Sequence, residues 1–277
     1  MQRIGAGNTW FLQVLIIDFI LSLFQKFKYQ KMKLRFVFCY SVLLILTSCK
    51  KDSPETKPGS PLDNGMIAYY PFDGSANDHS GNNYHLTVTA ATLSADRFGK
   101  SSNAYSFNGT GAFMTIPNYD IADSIDNFTI SLWAKPIMEN GQAYLISLST
   151  PSAYTHSIQL IRNTNSYQSW IEIVRCTPGT SLCSYQYFTQ SLPDTIHDQW
   201  THIVVGQNNS SPFLYVNGQE LFVPGLHYAP ISFANGGTIG SANSGTSGFF
   251  KGDLDDIRIY NRMLSREEIQ QLFSDKP

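Results

Sequence analysis

Between Gly65 and Tyr260 apolar and polar residues alternate in short runs broken by Gly, Asn, Asp and Pro. This is the pattern of antiparallel strands with one dry and one wet face. Clear runs are 66–72, 128–134, 143–148, 157–162, 170–176, 185–189, 200–206 and 213–216. Asn217-Gly218 supplies two residues that tolerate positive φ, which predicts a two-residue hairpin turn between 214–216 and 219–222. Helical character is confined to the end, where Ser265 and Glu268 form a capping box and Leu264 and Ile269 stand at the two positions of a hydrophobic staple. The pattern predicts an all-β, two-sheet antiparallel sandwich over 65–277, closed by one short C-terminal helix, with no repeat and no internal linker.

Ahead of residue 65 the pattern changes. Met32 is followed by Lys33, Arg35, the apolar stretch 36–46 and small residues before Cys49, the three parts of a secretory signal. Leu46-Thr47-Ser48-Cys49 resembles the lipobox of bacterial lipoproteins. That resemblance implies that 32–48 is a lipoprotein signal peptide and that Cys49 becomes the lipidated N-terminus. The run 10–24 is apolar apart from Gln13, Asp18 and Ser22; it is shorter than the ~20 residues a membrane helix needs and carries a charge at its middle. Residues 1–31 therefore read as a non-native extension, with a second membrane segment as the alternative. Residues 49–64 hold three prolines and almost nothing apolar, the composition of a flexible tether. Such charged tails resemble those of Bacteroidetes lipoproteins, which implies a lipid-anchored position at the outer membrane and cell surface.

Charge narrows the partners. The leader through Asn64 carries nine Lys/Arg against four Asp/Glu, which leaves ten against seventeen, or −7, on the remainder. A domain of that sign repels phosphate backbones, so nucleic acid is excluded as a partner. Among the four cysteines, Cys39 lies in the signal and Cys49 is the lipidation site, whereas Cys176 and Cys183 flank the segment 177–182. In an exported protein that spacing reads as a disulfide across a hairpin loop. Zinc fits poorly, because no further Cys or His pair completes four ligands.

Several segments together carry a family likeness: Ala68-Tyr-Tyr-Pro-Phe-Asp-Gly with Asn77-Asp-His-Ser-Gly-Asn, Ala104-Tyr-Ser-Phe-Asn-Gly, Phe128-Thr-Ile-Ser-Leu-Trp-Ala-Lys, Trp200-Thr-His-Ile-Val, Leu214-Tyr-Val-Asn-Gly and Gly252-Asp-Leu-Asp-Asp-Ile-Arg-Ile-Tyr-Asn-Arg-Met-Leu-Ser. In this order they resemble the laminin-G-like, concanavalin A-like jelly-roll domains of bacterial extracellular proteins. The resemblance implies a concave face, often one calcium ion, and binding of glycans or proteins. It assigns calcium to Asp78 and Asp255 first, then to Asp73 and Asn82. The loop 73–82 is rich in hard oxygen donors. Asp255, counted in alternation with Ile257 and Ile259, falls on the inward side of the last strand, where a carboxylate needs a cation or donors. The competing reading makes these residues turn-formers bonded to nearby amides.

Sugar rings stack on aromatic planes while amides and charged groups take the hydroxyls. Trp170, Tyr185, Tyr187 and Arg162 concentrate those groups around the proposed disulfide hairpin, and Trp133 and Trp200 are assigned to the core. Catalysis lacks a signature. Glu172 has no second acid on its face, Asp253 and Asp255 sit at a strand's edge, and His202 reads as a strand residue rather than a catalytic base. The expectation is a monomeric, non-catalytic carbohydrate-binding or adhesive module, ahead of a protein-binding cell-envelope scaffold and, further behind, a glycoside hydrolase.

Overall fold

The structure, a computed structural model, describes residues 60–120, 125–137, 141–149, 155–163, 166–173, 175–176, 183–184, 190–192, 196–209, 211–221, 236–242 and 245–275, with backbone alone between 149 and 192. The extension, the signal peptide, Cys49 and nearly all of the tether lie outside the described residues, as does the predicted run 185–189.

Two antiparallel sheets form the body. The first runs, edge to edge, through Gln219–Leu221, Ser211–Val216, Thr201–Asn208, Phe128–Pro136, Lys251–Tyr260, Ala104–Asn108 and Thr92–Ser94, with Met66–Tyr70 also paired to Lys251–Tyr260. The second orders Gln190–Leu192, Ser166–Ile173, Thr155–Asn163, Gly141–Ser149, Gly237–Ile239, Phe113–Ile116 and Thr87–Thr89. The predicted hairpin is present: Val216 pairs with Gln219, and Asn217 and Gly218 take φ of 49° and 72°.

The core lies between the sheets. Ile130, Leu132, Ala134, Ile203 and Val205 face inward from the first sheet and meet Met114, Ile116, Leu148 and Ile239 of the second. Apart from Ala134, each such side chain contributes roughly 1.5–3 kcal/mol relative to exposure. The alternate positions of the first sheet are also dry. Val204, Phe213, Tyr215 and Tyr260 face outward and are covered by Ile269 and Leu272 of the helix Arg266–Ser274, together with Leu62 and Leu264. The capping box is made as expected, with Ser265 Oγ accepting from Glu268 N and Glu268 Oε2 from Ser265 N. Because Leu62 is buried in a Ser60-capped 3-10 turn, the folded body takes in residues 60–64, which composition alone placed in the tether.

The two tryptophans assigned to the core differ. Trp133 is buried, but on the outer face against His202 and Phe273, with ring centroids at 5.0 and 5.9 Å. Trp200 is only half-buried. Alternation identifies a buried face, and this sheet has two.

Candidate functional site

The last strand, Lys251–Tyr260, changes partner halfway along. Residues 251–254 pair with Ala104–Asn108, whereas 257–260 pair with Met66–Tyr70. Between these halves a bulge opens, because Asp255 is opposite Trp133 and Arg258 opposite Ser131, leaving one extra residue. Asp256 sits in it with φ of 50°. The extra residue overturns the inward placement of Asp255: Leu254, Ile257 and Ile259 face the core, while Asp255 shares the outer face with its register partner Trp133.

Where the two neighbouring strands part, the loop 96–100 fills the gap. Asp96 Oδ1 accepts from Phe98 N and Lys100 N, both at 2.8 Å, and Asp96 O accepts from Gly99 N. This Asx turn holds Arg97 inward and Phe98 outward. The Arg97 guanidinium lies 4.8 Å over Trp133 and 4.5 Å over Phe98, and it donates to Asp255 at 2.7 Å and to Asp256 at 3.2 Å. Arg258 donates from Nε to the other Asp256 oxygen at 3.0 Å and from Nη2 to the Tyr69 hydroxyl, its guanidinium 4.4 Å over that ring.

The result is an open cleft of about 180 Å³ whose walls include Tyr69, Asp73, Phe98, Asn103 and Asp275, with Arg97, Asp255 and Asp256 beneath. Burial, then the adjacent Asp256 carboxylate, push Asp255 up to about 7 against the pull of Arg97. On the far side of Trp133 in the same row, burial and the charges of Arg97 and Arg258 push His202 down to about 3. Its Nε2 meets Ser131 Oγ at 2.9 Å.

Of the four residues assigned to calcium, Asp73 and Asp255 line this cleft. Asp78 and Asn82 do other work. Asp78 Oδ1 accepts from Tyr69 N and Ser80 N, and Oδ2 from Tyr84 N and the Ser80 hydroxyl, at 2.8–3.0 Å. Burial alone would raise its pKa, but these bonds hold it below the usual carboxylate range. Asn82 Nδ2 donates to Met66 O and Ile67 O, and Asp255 Oδ2 is taken by Arg97. These residues do not form one calcium cage, since both Asp78 oxygens and one Asp255 oxygen are bonded to protein donors and, among the described residues, no three Asp, Glu, His or Cys side chains are grouped to hold a metal. Asp78 is the turn-former of the competing reading.

Of the four residues assigned to ligand binding, the described backbone places two. Trp170 is the register partner of Ile161 and Arg162 that of Ser169, on adjoining strands. Tyr185 and Tyr187 lie outside the described residues. Cys176 and Cys183 are direct backbone partners in a two-stranded ladder. Residues missed in the sequence are Asp96, Arg97, Phe98, Asp256 and Arg258. The Asp-x-x-Gly turn at Asp96–Gly99 and the broken alternation of Leu254-Asp-Asp-Ile were the signals available.

The model of the Laminin_G_3 family, described as the concanavalin A-like lectin/glucanases superfamily, matches residues 108–270. Comparison with curated proteins gives no match. Among solved structures, domain 4 of AbnA, a GH43 extracellular arabinanase from Geobacillus stearothermophilus solved with arabinotriose, is similar at TM-score 0.56 and 23% identity, over 76% of this chain and 98% of that one. The botulinum neurotoxin serotype D binding domain (TM-score 0.59, 16% identity) and that of Paraclostridial Mosquitocidal Protein 1 (0.57, 18%) each match over 76% of this chain. The chain spans only about half of those two, 51% and 52%. At such identities the likeness is one of fold, and it agrees with the family match: the chain belongs to the concanavalin A-like lectin/glucanase superfamily, in its laminin-G-type branch.

Proposed function

We propose that this protein is a non-catalytic carbohydrate-binding module held at the outer cell surface by a lipid on Cys49. The observation that carries the reading is the cleft at the parted strands. It sets the exposed ring of Phe98, 44% accessible, and the Tyr69 ring beside carboxylates and the Asn103 amide. That combination suits a sugar, whose apolar face stacks on an aromatic plane while its hydroxyls find acceptors and donors. The arabinotriose carried by the arabinanase domain of like fold is in keeping with it.

Catalysis is left out of the proposal for a chemical reason. Two-carboxylate hydrolysis needs one protonated acid and one free carboxylate. Asp255 has the raised pKa of an acid, but Arg97 holds one of its oxygens, and Asp256 is bonded on both oxygens by arginines. Neither is free to attack.

Binding of the purified protein to an array of oligosaccharides tests the reading. Retention of at least one sugar class, unhydrolysed and weakened about tenfold by Phe98→Ala, is expected. Absence of retention would favour the scaffold role instead. Mass spectrometry of the exported protein tests its covalent features. Cys49 should be the N-terminal residue and carry acyl chains, and Cys176 and Cys183 should form one joined peptide, a link that stabilises by roughly 2–3 kcal/mol. An N-terminus upstream of Cys49 would contradict the anchor, and two free thiols the disulfide.

A further inference from the structure

Phe98 is 44% exposed and, among the described residues, belongs to neither hydrophobic cluster of the fold. Arg97, its neighbour in the chain, lies against it with the guanidinium 4.5 Å from the ring centroid. The same guanidinium is 4.8 Å from the centroid of Trp133, which is 8% exposed and stacks with His202 and Phe273 on the outer face. Arg97 thus links an exposed ring to a buried cluster of three.

Arg97 is itself fixed. Its side chain is 10% exposed, and its Nη1 and Nη2 donate to Asp255 and Asp256, whose side chains are 4% and 10% exposed. That orientation leaves Nε buried without a partner among the described residues, which is unfavourable. It also lays the guanidinium over both rings. The planar, always charged fork of an arginine suits this double duty, whereas a lysine ammonium is a point charge with no flat face to set against a ring. An aromatic platform held in place before a sugar arrives loses less rotamer freedom on binding than one free to turn.

We propose that Arg97 is a positioning residue for binding: it holds the Phe98 ring in place as the stacking platform of the cleft and acts through that ring rather than on the sugar. This rests on the carbohydrate reading above and adds to it the group that sets its aromatic plane.

Two measurements on the full chain test it. In the first, Phe98 is replaced by its trifluoromethyl analogue, and fluorine NMR reports the ring with no sugar present. The resonance lies away from its position in the urea-unfolded protein, and Arg97→Lys, which keeps the charge, moves it most of the way back. A resonance at the unfolded position with Arg97 intact overturns the proposal, and does so even where Arg97→Lys fails to fold. In the second, calorimetric titration with maltotriose, cellotriose and xylotriose gives the affinity of the best-bound trimer. Arg97→Lys weakens it about fivefold, and weakens it no further once Phe98→Ala is in place. An equal loss in the Phe98→Ala background overturns the proposal, because Arg97 would then act on the sugar or on the fold as a whole. Should none of the three trimers bind, the array judges the carbohydrate reading and the fluorine resonance alone decides whether Arg97 holds the ring.

Discussion

Replacing Asp78 with alanine is expected to destabilise the protein by about 3–5 kcal/mol, although Asp78 touches no ligand in this account. Three backbone N–H groups, from Tyr69, Ser80 and Tyr84, would lose their acceptor, and each buried donor left unpaired costs about 1–3 kcal/mol. For a domain of this size the melting temperature falls about 2–4 °C per kcal/mol. Asp78→Asn should be nearly as damaging, because it points an amide donor at two groups that donate. The acid limb follows from the same bonds. A carboxylate whose folded pKa is depressed contributes stability that is present above its ordinary 3.8 and is lost as pH falls through the folded value. Unfolding below about pH 4 should therefore be steeper in the wild type than in Asp78→Ala. Millimolar calcium and EDTA should leave the difference between the two proteins unchanged. A calcium-dependent rise in melting temperature that disappears in Asp78→Ala would restore the cage.

The second large effect concerns two buried groups on the outer face that pull stability in opposite directions over one pH window. His202 is kept neutral, with a folded pKa of about 3 against an ordinary 6.5. Its contribution is present above 6.5 and lost as pH falls toward 3. Asp255 is kept protonated, at about 7 against 3.8. Its contribution is present below 3.8 and lost as pH rises through 7. Each amounts to no more than a few kcal/mol, at about 1.4 kcal/mol per pKa unit, and the two offset each other between pH 4 and 6.5. The wild type should then be nearly flat there. Asp255→Asn leaves His202 unopposed and should lose about 2–4 kcal/mol on acidification from pH 7 to 4. His202→Gln leaves Asp255 unopposed and should gain stability over the same range. Urea midpoints at four pH values measure both slopes; parallel profiles for the two variants would show that the groups are not buried in these states.

Much of this fold was legible because the relevant signals are local. The Asn217-Gly218 turn and the Ser265/Glu268 box each depend on two residues and a backbone rule, and both are made as read. Short edge strands such as Thr87–Thr89 and Thr92–Ser94 left no signal, since all but one of their residues are exposed. The site was harder to read for a physical reason. Alternation locates Asp255 only if the strand is regular, and one bulged residue at Asp256 moves it to the other face. Arg97 belongs to a loop about 158 positions away in sequence from Asp255, a pairing that no local pattern encodes. Asp78 was assigned to calcium, with a turn-former as the competing reading, and its carboxylate accepts three backbone N–H groups and a hydroxyl. What the sequence leaves open is whether such a carboxylate meets a metal or backbone amides.

The central claim, that carbohydrate binds where the last strand changes partners, is tested most directly by hydrogen–deuterium exchange of the full chain with and without the oligosaccharide it retains. The account predicts added protection confined to residues 66–73, 96–103 and 253–258. Protection on the strands Thr155–Asn163 and Ser166–Ile173, with those three segments unchanged, would contradict it and return the binding site to the face that carries Trp170.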